Sequence, residues 1–111
     1  MRSNWLALAL VAVVLLAGTV RQGWAQSAKS RAEMKKLLDR AEKLKTAGKL
    51  PEAAKAYQQA LARARKRFGQ SHLVTADAMA GLAEVRVAEG QYAQAEPLYR
   101  RSVAIREAKL G

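Results

Sequence analysis

The sequence predicts an all-α protein: two stacked antiparallel helix hairpins that come after a cleavable hydrophobic amino-terminal segment. Three observations lead there. The first is an internal repeat, because sliding the sequence by 42 positions brings Ala41 onto Ala83, Glu42 onto Glu84, Gly48 onto Gly90, Ala53 onto Ala95, Tyr57 onto Tyr99, Ala62 onto Ala104 and Gly69 onto Gly111. A fixed period of this length marks stacked supersecondary units. The second is spacing: apolar residues recur three and four apart, the period of a helix with one buried face. The third is punctuation. Gly48 and Gly69 recur as Gly90 and Gly111, so each unit reads as helix, glycine turn, helix.

Composition allows such a fold and removes several chemistries. Half of the 111 residues are apolar, enough for one small helical domain. There is no cysteine, which removes disulfides, thiolate nucleophiles and Cys-based zinc sites. The net charge of +11 is unevenly placed: residues 26–70 carry 13 Lys and Arg against 4 Asp and Glu, residues 71–111 carry 5 against 5.

Residues 1–25 stand outside the repeat. Arg2 precedes an unbroken apolar run from Trp5 to Ala17, and Gly23 and Ala25 supply small residues at −3 and −1 of a cleavage point. This reads as a secretory signal peptide, and the protein is expected to be exported, periplasmic or secreted. The rival is a membrane anchor over residues 5–20. A span needs about 20 apolar residues, and Arg21 stops this run short of that length. The position of Arg21, just beyond the apolar core, slightly opposes export of the downstream chain.

The first repeat covers 26–69. Met34, Leu37, Leu38, Ala41 and Leu44 mark the buried face of a helix at about 29–47, whose other face carries Lys29, Arg31, Lys35, Lys36, Arg40, Lys43 and Lys45. A charged outer face suits the end of a repeat array. Gly48 ends this helix, and Pro51 falls in the first turn of the next, where no helical hydrogen bond is lost. That second helix, about 51–67, should bury Ala53, Tyr57, Ala60, Leu61, Ala64 and Phe68. Arg63, Arg65, Lys66 and Arg67 crowd its last turn and complement the carbonyl end of the helix dipole.

The second repeat covers 70–111. Ser71 is the expected cap of a third helix at about 72–89, apolar nearly all round and therefore placed between two others. The fourth, about 92–109, is expected to bury Tyr92, Ala95, Tyr99 and Val103 against the third, with Pro97 in its first turns. Leu98 and Ile105 lie on a different stripe and form a candidate open-end patch, through which the chain could form a homo-oligomer.

The unit resembles the tetratricopeptide repeat. The run from Ala95 through Pro97 and Tyr99 to Glu107 is similar to the longer, kinesin-light-chain variant, as is the connector from Gly69 through His72 to Thr75 and Ala76. Gln70 and Leu73 replace the family's two prolines there, and Ser71 its aspartate. The resemblance implies an α-solenoid fragment that binds a protein or peptide, and names no partner. It also implies a groove lined by the first helix of each hairpin: Lys35, Leu38, Glu42, Lys45 and Thr46 from one, Asp77, Ala80, Glu84, Val87 and Ala88 from the other. The family's helix asparagines are absent, since Ala80 and Gly81 stand at the matching stretch.

No residues assemble into catalysis. One histidine, no cysteine and nine scattered acids offer neither a hydrolytic triad nor a metal cluster, so the chain reads as a non-enzymatic scaffold without cofactor or metal. His72 falls where the family itself carries histidine, a structural position. The basic patch Arg63, Arg65, Lys66 and Arg67 reads as a solvated face or as a contact for an anionic surface: lipid headgroups, acidic polysaccharide or an acidic protein. Nucleic acid is disfavoured by export and by the lack of aromatics on the basic faces. The competing function is therefore a membrane-tethered or envelope-surface protein whose basic first repeat binds anionic lipid or polysaccharide.

Overall fold

The computed structural model describes residues 27–111, all of which that lie in regular structure are helical. The elements are α1, helical over 27–46, α2 (Leu50–Phe68), α3 (Leu73–Ala88) and α4 (Tyr92–Leu110). Residues 1–25, expected from the sequence to be a signal peptide, lie outside the described residues. By compactness the chain divides into residues 1–32, of which only the helical stretch 27–32 is described, and residues 33–111, which carry the rest of α1 and the three other helices.

The two hairpin turns are copies of one another. After α1, the Gly48 N–H bonds the Lys45 carbonyl (3.0 Å) and the Lys49 N–H reaches back to Leu44 (2.9 Å); after α3, Gly90 bonds Val87 (2.9 Å) and Gln91 bonds Arg86 (2.7 Å). This is a Schellman closure, which satisfies the last helical carbonyls and needs a left-handed residue. Gly48 at φ 77° and Gly90 at φ 78° supply it. The link between repeats works differently from the sequence expectation. His72, not Ser71, holds the cap position of α3, its Nδ1 accepting from the Val74 N–H at 3.1 Å. The imidazole also lies against Phe68, ring centroids 4.9 Å apart, and the Thr75 hydroxyl donates to the Gly69 carbonyl at 2.7 Å. Stacking and a fixed connector together favour the ring nitrogen over the smaller hydroxyl one residue earlier.

The core runs through all four helices. Met34 and Ala41 of α1, Ala53, Ala54, Tyr57, Ala60, Leu61 and Ala64 of α2, and Ala76, Ala78, Met79, Leu82 and Val85 of α3 are buried, with Leu37, Leu38, Leu44 and Phe68 packed at its margin. Alanines let the axes come close. Gly81 carries this furthest: a Cβ there would run into the Tyr57 ring, so α2 and α3 meet through an aromatic face lying on a bare backbone. Pro97 sits within α4, which continues through it.

α4 departs from expectation. Ala95 is buried, as the sequence predicts, but Tyr92, Tyr99 and Val103 are 66, 36 and 49 % exposed. The stripe that packs on α3 is instead Ala95, Leu98, Ser102 and Ile105, with Ser102 donating to the Ala76 carbonyl at 2.9 Å. Leu98 and Ile105 therefore form no open-end patch: Ile105 is buried and Leu98 half-buried. The reason is that no described helix packs on the other side of α4. Ala54, Tyr57, Leu61 and Ala64 of α2 are buried between flanking helices, whereas their counterparts 42 residues on, Glu96, Tyr99, Val103 and Arg106, have no helix over them among the described residues.

Candidate functional site

A groove of about 280 Å³ opens between α1 and α3. Leu38, Asp39 and Glu42 line it from α1, Asp77, Ala80, Gly81 and Glu84 from α3; Tyr57 forms part of it from α2 and Arg106 reaches in from α4. Repeat geometry explains the first two sets, since Leu38 and Ala80, like Glu42 and Glu84, are equivalent by the 42-residue shift. Of the residues expected here, Leu38, Glu42, Asp77, Ala80 and Glu84 are brought together, and Lys45 joins them through its ion pairs. Lys35, Thr46, Val87 and Ala88 are exposed outside the lining.

Polar bonds stitch the groove across both repeats. Lys45 Nζ pairs with Glu42 at 3.0 Å and with Glu84 of the next repeat. The Tyr57 hydroxyl donates to Glu42 Oε2 at 2.8 Å, and Arg106 Nη2 pairs with Asp77 Oδ1 at 2.9 Å. Lys45, helped by Tyr57, holds the Glu42 carboxyl below its usual range. Burial works against the Lys45 ammonium, yet its bonds to Glu84 and Glu42 more than offset that and raise its pKa. Burial, reinforced by Glu42, pushes the Tyr57 phenol up. All three shifts stabilise one protonation pattern: carboxylate, ammonium and neutral phenol side by side.

Sequence reasoning does not reach Asp39, Tyr57, Gly81 or Arg106 as groove residues. The spacing places Tyr57 wholly in the core, and it is buried, but its hydroxyl end reaches the groove. Gly81 carries a usable signal: a glycine inside an apolar helical run points to close backbone approach. Arg106 depends on a long side chain crossing from α4, which spacing along one helix does not reveal.

The lining thus combines three ion-paired carboxylates, Glu42, Asp77 and Glu84, with the apolar Leu38 and Ala80 and the bare backbone of Gly81. Among the described residues no group of three or more His, Cys, Asp or Glu is placed to hold a metal. A second depression of about 370 Å³, between α1 and α2, is lined by Leu37, Arg40, Leu44, Glu52, Lys55, Ala56 and Gln59, all from one hairpin. The basic residues at the end of α2 are mostly outward: Arg63, Lys66 and Arg67 are exposed, while Arg65 is half-buried, its Nε shielded without a partner. No helix among the described residues is long and apolar enough to cross a membrane.

A family model described as tetratricopeptide repeat matches residues 32–108, from α1 to α4. Comparison with curated proteins and with solved structures found no match. With the match spanning both hairpins and both Schellman turns, the chain belongs to the tetratricopeptide repeat family.

Proposed function

We propose that the protein is an exported, non-enzymatic interaction scaffold that holds a segment of a partner protein in the groove between α1 and α3. Tetratricopeptide repeats mediate protein–protein interaction, and the 42-residue period supports the longer, kinesin-light-chain-like type. One observation carries the choice of surface. The groove gathers four carboxylates, Asp39, Glu42, Asp77 and Glu84, in a chain of net charge +11. Lys45 and Arg106 pair with three of them and leave Asp39 exposed. A segment bearing Lys or Arg suits this lining and is repelled by most of the remaining surface. A peptide array probed with the chain tests it. Binding should concentrate on basic peptides and weaken at least about tenfold with Asp39→Lys or Ala80→Arg. Binding indifferent to both substitutions would remove the groove from consideration.

Export rests on the apolar run and the small residues before Gln26. The mature chain should begin at Gln26 on terminal sequencing; an intact amino terminus in alkali-washed membranes would favour an anchor over residues 5–20. A second reading has its own observation: Arg63, Lys66 and Arg67 stand exposed on the repeat that holds the charge excess. On that reading the protein is tethered or surface-bound and the first repeat docks on anionic lipid or polysaccharide. Flotation with anionic vesicles that fades between low and physiological salt, and is lost in Arg63→Glu with Lys66→Glu, would favour it.

A further inference from the structure

The exposed side of α4 has an order of its own. Tyr92, Glu96, Tyr99, Val103, Arg106 and Leu110 succeed one another at spacings of four and three in strict alternation. That is the a/d seam of a coiled coil, the pattern that keeps one line of side chains facing a partner helix. Tyr92, Tyr99, Val103 and Leu110 are 66, 36, 49 and 74 % exposed. Their counterparts on α2, Leu50, Tyr57, Leu61 and Phe68, belong to the core or pack at its margin. A line of four large apolar side chains along 19 helical residues is therefore left without cover among the described residues.

The seam is symmetric about position 101. Tyr92 and Leu110 stand nine residues to either side, Glu96 and Arg106 five, Tyr99 and Val103 two. We infer that α4 pairs with α4 of a second copy, antiparallel, across a two-fold axis at the level of Arg101. In that register Tyr92 meets the second copy's Leu110, Tyr99 meets its Val103, and each Glu96 meets an Arg106. The two polar seam positions thus become two opposite-charge pairs. A parallel pairing sets glutamate on glutamate and arginine on arginine, so charge selects orientation and register together. Each seam charge has a partner within the chain, Arg106 with Asp77 and Glu96 with Arg100, and each keeps capacity for a second: the remaining donors of the guanidinium fork and the other carboxylate oxygen. An isologous contact of this kind closes on itself and stops at two chains.

One pair of helices makes a small interface, so the dimer is weak, with a dissociation constant on the order of 10 μM. Sedimentation velocity of the full chain over about 1 to 100 μM should show a monomer–dimer equilibrium. Val103→Glu should weaken it about a hundredfold. Glu96→Arg alone and Arg106→Glu alone should each weaken it about tenfold, because each puts two like-charge pairs on the seam. Mixing these two single variants should restore dimers, since each chain then supplies what the other lacks. Folding of every variant is checked by helix content. A wild type that stays monomeric overturns the proposal. Association that survives Val103→Glu overturns it by placing the contact elsewhere, residues 1–26 included. A mixture that fails to pair when both variants are folded overturns the antiparallel register.

Discussion

The outer faces of α1 and α4 flank the two described hairpins, and their side chains differ in kind. On α1, Glu33, Lys36, Arg40 and Lys43 are exposed. They correspond, 42 residues on, to Thr75, Ala78, Leu82 and Val85 of α3, every one buried. The first helix thus keeps the backbone of the third while its stacking face has become charged. On α4 the change is only partial: Ala54 and Ala64 of α2 become Glu96 and Arg106, but Tyr57 stays tyrosine, Leu61 becomes Val103 and Phe68 becomes Leu110. In a repeat protein each unit contacts only its neighbours, so a polar face ends the stack and an apolar one invites contact. Among the described helices α1 presents the polar kind of face and α4 the apolar kind.

The largest effect that tests this comparison falls on the two equivalent tyrosines. Tyr57 is 3 % exposed and Tyr99 36 %. Tyr57→Ala should cost about 3 to 5 kcal/mol, as for a large aromatic core residue, and leave little folded protein. Tyr99→Ala should cost less than about 1 kcal/mol at concentrations where the chain is monomeric. Urea unfolding followed by circular dichroism separates them; equal losses would mean that α4 is covered on both sides.

A smaller effect comes from the contact that covers Tyr57. Gly81→Ala gains about 1 kcal/mol of helix propensity, but the new methyl must displace the Tyr57 ring, an overpacking of about 1 to 3 kcal/mol. The net expectation is a loss of about 1 kcal/mol, with the hydroxyl pulled away from Glu42. A stabilised variant would show that the ring yields freely, and that α3 covers α2 less tightly than the bare backbone at Gly81 implies.

The helices and the first-repeat core are legible in the sequence because glycine turns and three-four spacing are local properties. The side that α4 buries is not, and the cause is physical. The 42-residue shift carries residue identity from Tyr57 to Tyr99, but the environment of Tyr57 is made by α3, which has no counterpart after α4 among the described residues. Both stripes of α4 are apolar, so periodicity alone cannot choose between Tyr99 and Leu98. In the groove, Glu42 and Glu84 come from repeat equivalence, whereas Arg106 on Asp77 depends on which way a long side chain turns.

Next in size is a change that should break the comparison by making the ends alike. Arg40→Leu with Lys43→Val gives α1 the residues that α3 holds at Leu82 and Val85. Both positions are exposed, so stability should move by no more than about 0.5 kcal/mol. Self-association should rise, and binding of a hydrophobic dye with it. Unchanged sedimentation and dye binding would show that charge at α1 is not what keeps that end apart.

The smallest effect is a difference between equivalent carboxylates. Glu42 accepts from Lys45 and from the Tyr57 hydroxyl; Glu84 takes the same lysine, and no bond joins it to Tyr99, which lies on the open side of α4. Lys45 first and Tyr57 second hold the Glu42 carboxyl below its usual range. When the folded value lies below the unfolded one, the unfolded chain binds the proton more tightly, so acid favours unfolding. The stabilisation is present above the ordinary carboxylate range and is lost as pH falls through the depressed folded value. Wild type should therefore exceed Glu42→Gln in urea midpoint near neutrality and converge on it in acid. Tyr57→Phe should bring the Glu42 titration, followed by carboxyl carbon NMR, part of the way back toward normal, because the lysine remains. Parallel pH profiles for wild type and Glu42→Gln would mean that the carboxyl titrates alike in folded and unfolded chains, and that the first repeat gains nothing from the bond its neighbour lacks.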